Sequence, residues 1–212
     1  MASAAIVVDN TGASPACAPG EVTLAASPAD YCAGYFGLGN YSPGSELAKL
    51  NAATDGADWS FVYKVERDDA GAIVTEGDGM FQGIRFTLVD VDIDAKSGNW
   101  TIRWEDTNGA EPLNLPLYID LGAGFKAGNQ QSGGGIAYFL FDDFLLTNDP
   151  YQASGTFSLS VNKGLSHEAL FVRLGTGTVP GPEPGPELPE PSVLALLGLS
   201  LAGAAYFRRR RR

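Results

Sequence analysis

Asn99–Glu105 reads NWTIRWE, and its alternation decides the fold class. Trp100, Ile102 and Trp104 fall on one side of an extended chain, Thr101 and Arg103 on the other. That is the period-two pattern of a half-buried strand. Outward from it, Trp59–Val65 (WSFVYKV) and Arg85–Ile93 (RFTLVDVDI) are rich in β-branched and aromatic residues and bounded by Gly and Asp. Ile136–Phe141 (IAYFLF) is apolar on both faces, as a central strand should be. Ser154–Val161 and Glu168–Leu174 complete the set, with turn clusters at Asp69–Gly71, Lys96–Gly98, Asn108-Gly109 and Asn129–Gly135. Within residues 5–177 only Ser45–Ala53 reads as a helix. Many short strands separated by Gly-rich turns predict an all-β, antiparallel sandwich or jelly-roll-like domain over residues 5–177.

Charge narrows the function classes. The chain has 212 residues and a formal net charge of −11. Five of its 14 Lys and Arg are the last five residues, so the 25 Asp and Glu before them face only nine cations. A body this acidic excludes nucleic acid as a partner, because phosphates demand a basic face.

The C-terminus has three parts. Thr178–Pro191 reads TVPGPEPGPELPEP, six Pro and three Glu in fourteen residues, an extended acidic stalk rather than a domain. Ser192–Phe207 (SVLALLGLSLAGAAYF) carries no charge. As a helix it is about 24 Å long, and the arginines after it can snorkel to span the remaining thickness of a bilayer. Arg208, Arg209, Arg210, Arg211 and Arg212 form a basic tail at residues 208–212 that stays cytoplasmic, which places everything before residue 192 outside. The expected organisation is a domain at 5–177, a linker at 178–191, a single transmembrane helix at 192–207 and the tail.

At the other end, Ala2-Ser3-Ala4 fits a small-residue cleavage pattern, so residues 1–4 read as the remnant of a signal peptide whose main part lies upstream. A cytosolic start at Met1 is the alternative. Cys17 and Cys32 lie in a Gly/Pro/Ala-rich stretch without a neighbouring His or third Cys, so they form neither a zinc site nor a redox motif. In an oxidising compartment they would close a 16-residue loop, stabilising the fold by about 3 kcal/mol. Two unrelated buried thiols are the other reading.

The triplet Pro189, Glu190, Pro191, followed by an apolar helix and a terminal arginine cluster, resembles the PEP-CTERM sorting signal of Gram-negative bacterial surface proteins. Leu188 stands where Val is commonest, and a second triplet, Pro182-Glu183-Pro184, lies upstream. The resemblance implies export, a transient anchor in the inner membrane, cleavage near the triplet by an exosortase, and delivery to the cell surface or extracellular matrix. A permanent anchor is the alternative. The body between residues 98 and 172 (GNWTI, IDLGAGFKAGN, IAYFLFDD, SGTF, GLSHEALFV) is similar to a β-sandwich ectodomain that recurs before such tails. The positions that carry this likeness are Trp100, Lys126, Tyr138, Gly155, Ser166 and His167. It implies an exopolysaccharide-rich or biofilm setting and no particular activity.

Three constellations in the body invite chemistry. Asp90, Asp92 and Asp94 alternate with Val91 and Ile93, so a strand would put three carboxylates on one face, where calcium would relieve their repulsion. The turn Gly and the closing Glu of a calcium loop are missing, which favours a solvated face. Asp142-Asp143 is a second acidic pair. Trp100 and Trp104 would make a sugar platform if exposed and a core if buried. His167, the single histidine, lacks the nucleophile signature of a triad and reads as structural. No catalytic residue is expected, and no cofactor beyond calcium. The expected function is a non-enzymatic structural or interaction role in a polysaccharide matrix. The alternatives are a carbohydrate-binding module, with calcium assisting, and a jelly-roll glycan hydrolase.

Overall fold

In the computed structural model, the described residues are 6–38, 41–54, 58–68, 70–108, 114–128, 134–148 and 151–177. In chain order they form β1 (Thr23–Leu24), β2 (Ser27–Pro28), β3 (Tyr31–Phe36), α1 (Pro43–Ala53), β4 (Ser60–Arg67), β5 (Ile73–Glu76), β6 (Met80–Phe81), β7 (Ile84–Val89), β8 (Ser97–Asp106), β9 (Leu117–Ala127), β10 (Gly135–Leu146), β11 (Gln152–Ser158) and β12 (Leu165–Leu174). Residues 1–4, the linker at 178–191, the expected transmembrane helix at 192–207 and the arginine tail lie outside the described residues. Among the described residues no helix is long and apolar enough to cross a membrane.

The alternation at Trp100, Ile102 and Trp104 sits at the middle of β8, and all three side chains are buried. Every strand pair is antiparallel. A six-stranded sheet runs β3-β10-β9-β12-β4-β5, a four-stranded sheet β11-β8-β7-β6, and β1 and β2 form a small ribbon. The two larger sheets share one core. Phe125 of β9 meets Trp100 of β8 at 5.7 Å between ring centroids and Phe157 of β11 at 5.4 Å, and it also stacks edge-on with Phe139 of β10. Each large side chain buried this way contributes about 1.5–3 kcal/mol.

The six-stranded sheet is buried on its other face too. There Ile136, Tyr138, Leu140, Ala169 and Phe171 pack with Leu50 and Ala53 of α1, Ile6 and Trp59. This explains why IAYFLF lacks alternation: β10 lies between two apolar layers. α1 starts two residues earlier than expected because Ser42 caps it, its hydroxyl accepting from Ser45 N at 3.4 Å, and Pro43 fits the first turn.

The sequence reading missed β9, the strand between β10 and β12. Gly122 and Gly124 interrupt its apolar pattern, but the space where their side chains would stand is filled by neighbours. A Cβ on Gly124 would meet Phe171 at 3.2 Å and Tyr138 at 3.3 Å. Glycine lets the aromatic rings lie directly on the strand.

Candidate functional site

The expected face of Asp90, Asp92 and Asp94 does not form. β7 ends at Val89, and Asp90 and Asp94 take left-handed backbone conformations, φ 54° and 73°, as the chain turns back towards β8. Asp tolerates that region better than most residues. Asp92 accepts from Asn99 N at 2.7 Å, and Asp94 pairs with Arg67 Nε at 2.8 Å. Two of the three carboxylates thus have separate protein partners, and the strand geometry on which calcium binding rested is absent. Trp100 and Trp104 are likewise removed as a sugar platform. They are 0% and 4% exposed, and their indole N–H groups donate to Thr23 O at 3.0 Å and Thr147 O at 2.8 Å. Cys17 and Cys32 form a disulfide.

Carboxylates do gather elsewhere. Phe141 pairs with Leu121 and Phe144 with Ile119, so Asp142 and Asp143 together oppose the single residue Asp120. This β-bulge, with Asp143 at φ 48°, brings one ligand oxygen from each of Asp120, Asp142 and Asp143 within 4.8 Å of one another. Asp120 is buried and accepts from Arg173 Nε at 2.6 Å and from Asp143 N at 3.0 Å. Asp142 is pushed up to about 6, first by desolvation, then by its hydrogen bond with Asp120 and the charges of Asp120, Asp143 and Asp30. Partial burial also raises Asp143, but hydrogen bonds from Thr176 N, Gly177 N and the Thr176 hydroxyl outweigh it and hold this carboxyl below its ordinary value. Oxygen donors of this kind suit a hard cation such as calcium. The pair Asp142-Asp143 was visible in the sequence. Asp120 was not, and the signal that could have found it is two acids in the middle of an otherwise apolar strand, the mark of a bulge.

A second polar cluster lies beneath α1. His167 Nε2 is 2.9 Å from Glu46 Oε1, with both side chains almost fully buried. Lys64 Nζ reaches Glu66 at 2.8 Å, Glu76 at 3.5 Å and Glu46 at 4.0 Å, and donates to Tyr41 O at 3.0 Å. Lys126 lies over the Tyr41 ring, and desolvation with the nearby charge of Lys64 lowers its pKa despite Glu46 and Glu66.

The six positions that carried the body's likeness fall into two structural groups. Lys126 and His167 are direct cross-strand partners, Ser166 Oγ donates to Lys126 O at 3.1 Å, and Tyr138 Oη donates to Glu46 O at 2.8 Å. Gly155 pairs with Trp100, and a Cβ there would stand 2.6 Å from the indole nitrogen and 1.8 Å from Thr23 O. One group docks α1 on the sheet; the other seats the central tryptophan.

Comparison with protein families decides the tail. Residues 187–212 carry a PEP-CTERM protein-sorting motif. The PEP-CTERM motif takes in Pro189, Glu190 and Pro191 and Arg208 to Arg212, and it begins after the upstream triplet at 182–184. It marks an exported protein processed by an exosortase, with sorting at a membrane. No curated protein and no solved structure matches the chain.

Proposed function

We propose that the β-rich body is a non-enzymatic structural or interaction domain, released at Pro189-Glu190-Pro191 and displayed on the surface or in the polysaccharide matrix of a Gram-negative bacterium. The observation that carries this reading is the order of parts. The last described strand ends at Leu174, and the sorting motif starts at residue 187, with twelve residues between them. The apolar run at 192–207 acts as a transient stop, and Arg208–Arg212 hold it against the cytoplasmic face until cleavage.

The framework roles of Lys126, Tyr138, Ser166 and His167 support a non-enzymatic body, since each is engaged in holding α1 or neighbouring strands. With both tryptophans buried, a carbohydrate-binding role has lost its platform, and no observation favours a hydrolase. Intact-mass analysis of the protein recovered from its bacterial surface tests the proposal. The expected mass lacks the residues beyond the triplet; a mass that still includes Arg212 overturns processing. A glycan array with and without EDTA separates this reading from the carbohydrate-binding alternative: no retention is expected, and glycan binding that EDTA abolishes would favour the alternative.

A further inference from the structure

β3 is an edge strand, paired on one side with β10 alone. An open strand edge offers unpaired N–H and C=O groups to any other chain. Here residues 10–21 lie along it as a strap. Ser14 N donates to Tyr35 O at 3.0 Å and Tyr35 N to Pro15 O at 3.2 Å. The Asn10 side chain accepts from Gly34 N at 2.9 Å, Glu21 accepts from the Tyr35 hydroxyl at 2.7 Å, and Cys17 is joined to Cys32 within β3. Gly34 is required by this arrangement: a Cβ there would be 2.6 Å from Ala137 Cβ and 3.1 Å from Cys17 Sγ.

The strap has almost no apolar hold of its own. None of residues 10–21 is buried, and the stretch is made of Gly, Ala, Pro, Ser, Thr, Asn and Glu besides the cysteine. Its hydrogen bonds reach the buried Gly34 and Tyr35, but each contributes only about 1 kcal/mol net, against about 3 kcal/mol for closing a loop of this length with a disulfide. The covalent link is therefore the strongest constraint on it. By contrast, the centre of the six-stranded sheet is fixed by β9, β10 and β12, whose inward side chains are fully buried.

We propose that Cys17–Cys32 is a redox catch that closes the free edge of β3. In the dithiol form the sheet and its core are assembled but the strap is loose and β3 is open. In the disulfide form the strap is seated and the edge is capped. Closing the catch joins the two sulfurs and passes two electrons and two protons to a disulfide oxidant of the thiol-exchange class, which leaves as a dithiol. The catch gives the export reading a consequence and rests on it for the compartment: the edge stays open in a reducing cytosol and shuts outside. It also predicts where reduced protein would associate, through β3.

Hydrogen exchange on the full-length chain, oxidised and then reduced with dithiothreitol, tests the catch. On reduction the amides of Ser14, Gly34 and Tyr35 should lose protection by about a hundredfold, the equilibrium effect of opening a loop of this length. Amides of Leu121 and Phe171 should keep theirs, and reoxidation should restore the strap. Cys17→Ser should reproduce the reduced pattern without reductant. Unchanged protection at Tyr35 and Ser14 overturns the proposal, and so does simultaneous loss at all five amides, which would make the link a global staple. Alkylation of protein taken from the bacterial surface reads the compartment separately. Two free thiols there overturn the catch's closure outside, whereas a retained Arg212 overturns tail processing and leaves the catch standing.

Discussion

His167 Nε2 and Glu46 Oε1 lie 2.9 Å apart beneath α1, joining β12 to the first turn of the only α-helix among the described residues. Both side chains are almost fully buried, so the two groups depend on each other: a buried polar group left without its partner costs far more than an exposed one. Glu46→Leu should destabilise the fold by about 3–5 kcal/mol, because Lys64 and His167 then face one carboxylate fewer. The double variant Glu46→Leu/His167→Leu should be less destabilised than the sum of the two single variants. Urea denaturation of the four proteins in this cycle measures the coupling, and strict additivity would show that the pair is not interacting.

Glu168, the next residue along β12, is fully buried and its carboxyl oxygens have no hydrogen-bond partner among the described residues. Desolvation drives its pKa well above the ordinary 4.5. The folded state thus holds a proton that the unfolded chain releases. This group's contribution to stability is complete below about pH 4.5 and is lost as pH rises through the folded value. Glu168→Gln keeps the shape and removes the titration. The variant should melt higher than the parent at pH 8 and nearly alike at pH 4, as read by thermal unfolding across that range.

Asp142 behaves in the same sense over a stated window. Its carboxyl is raised to about 6, so protonated Asp142 stabilises the folded form at low pH, and that contribution fades as pH climbs through 6. In carbon-detected NMR the Asp142 side chain should titrate near that value. Asp142→Asn should remove the step. Millimolar calcium, the range of weak extracellular sites, should move the midpoint down if Asp120, Asp142 and Asp143 accept the ion together. A midpoint indifferent to calcium would show that the three carboxylates serve only the bulge.

Much of this fold was legible because period-two patterning survives wherever a strand has one wet face. β8 and β11 show it directly, with outward Arg103, Ser154 and Thr156 against inward Ile102, Ala153 and Phe157. The reading failed where backbone geometry, not side-chain pattern, decides. Gly122 and Gly124 hid β9, and the left-handed residues Asp90 and Asp94 ended a strand that β-branched Val91 and Ile93 would have continued. Asp120 could not be joined to Asp142 and Asp143 from spacing because a bulge, not a motif, unites them. Gly155 shows how strict such positions are. Gly155→Ala would put a methyl group 1.8 Å from Thr23 O and 2.6 Å from the Trp100 indole nitrogen, so backbone must move. The expected loss is about 1–3 kcal/mol or more, measured by chemical denaturation.

Asp143 bears on the link between the body and its sorting motif. Its Oδ1 accepts from Thr176 N at 2.5 Å and Gly177 N at 2.7 Å, and Gly175 N donates to Tyr118 O at 3.0 Å, so the chain remains tied to the sheet for three residues beyond β12. Hydrogen bonds to a carboxylate are stronger than neutral ones, about 1.5–3 kcal/mol each. Asp143→Ala should therefore speed amide exchange at Thr176 and Gly177 at least tenfold while leaving Leu170 and Val172 unchanged. The depressed Asp143 carboxyl gives the opposite pH sense to Asp142. Its stabilising effect is present at neutral pH and is lost as pH falls through the folded value, so the same two amides should loosen in acid. If they stay protected in the variant, the tie to Asp143 is not what ends the folded body, and the chain leaving towards residue 187 is held by Tyr118 instead.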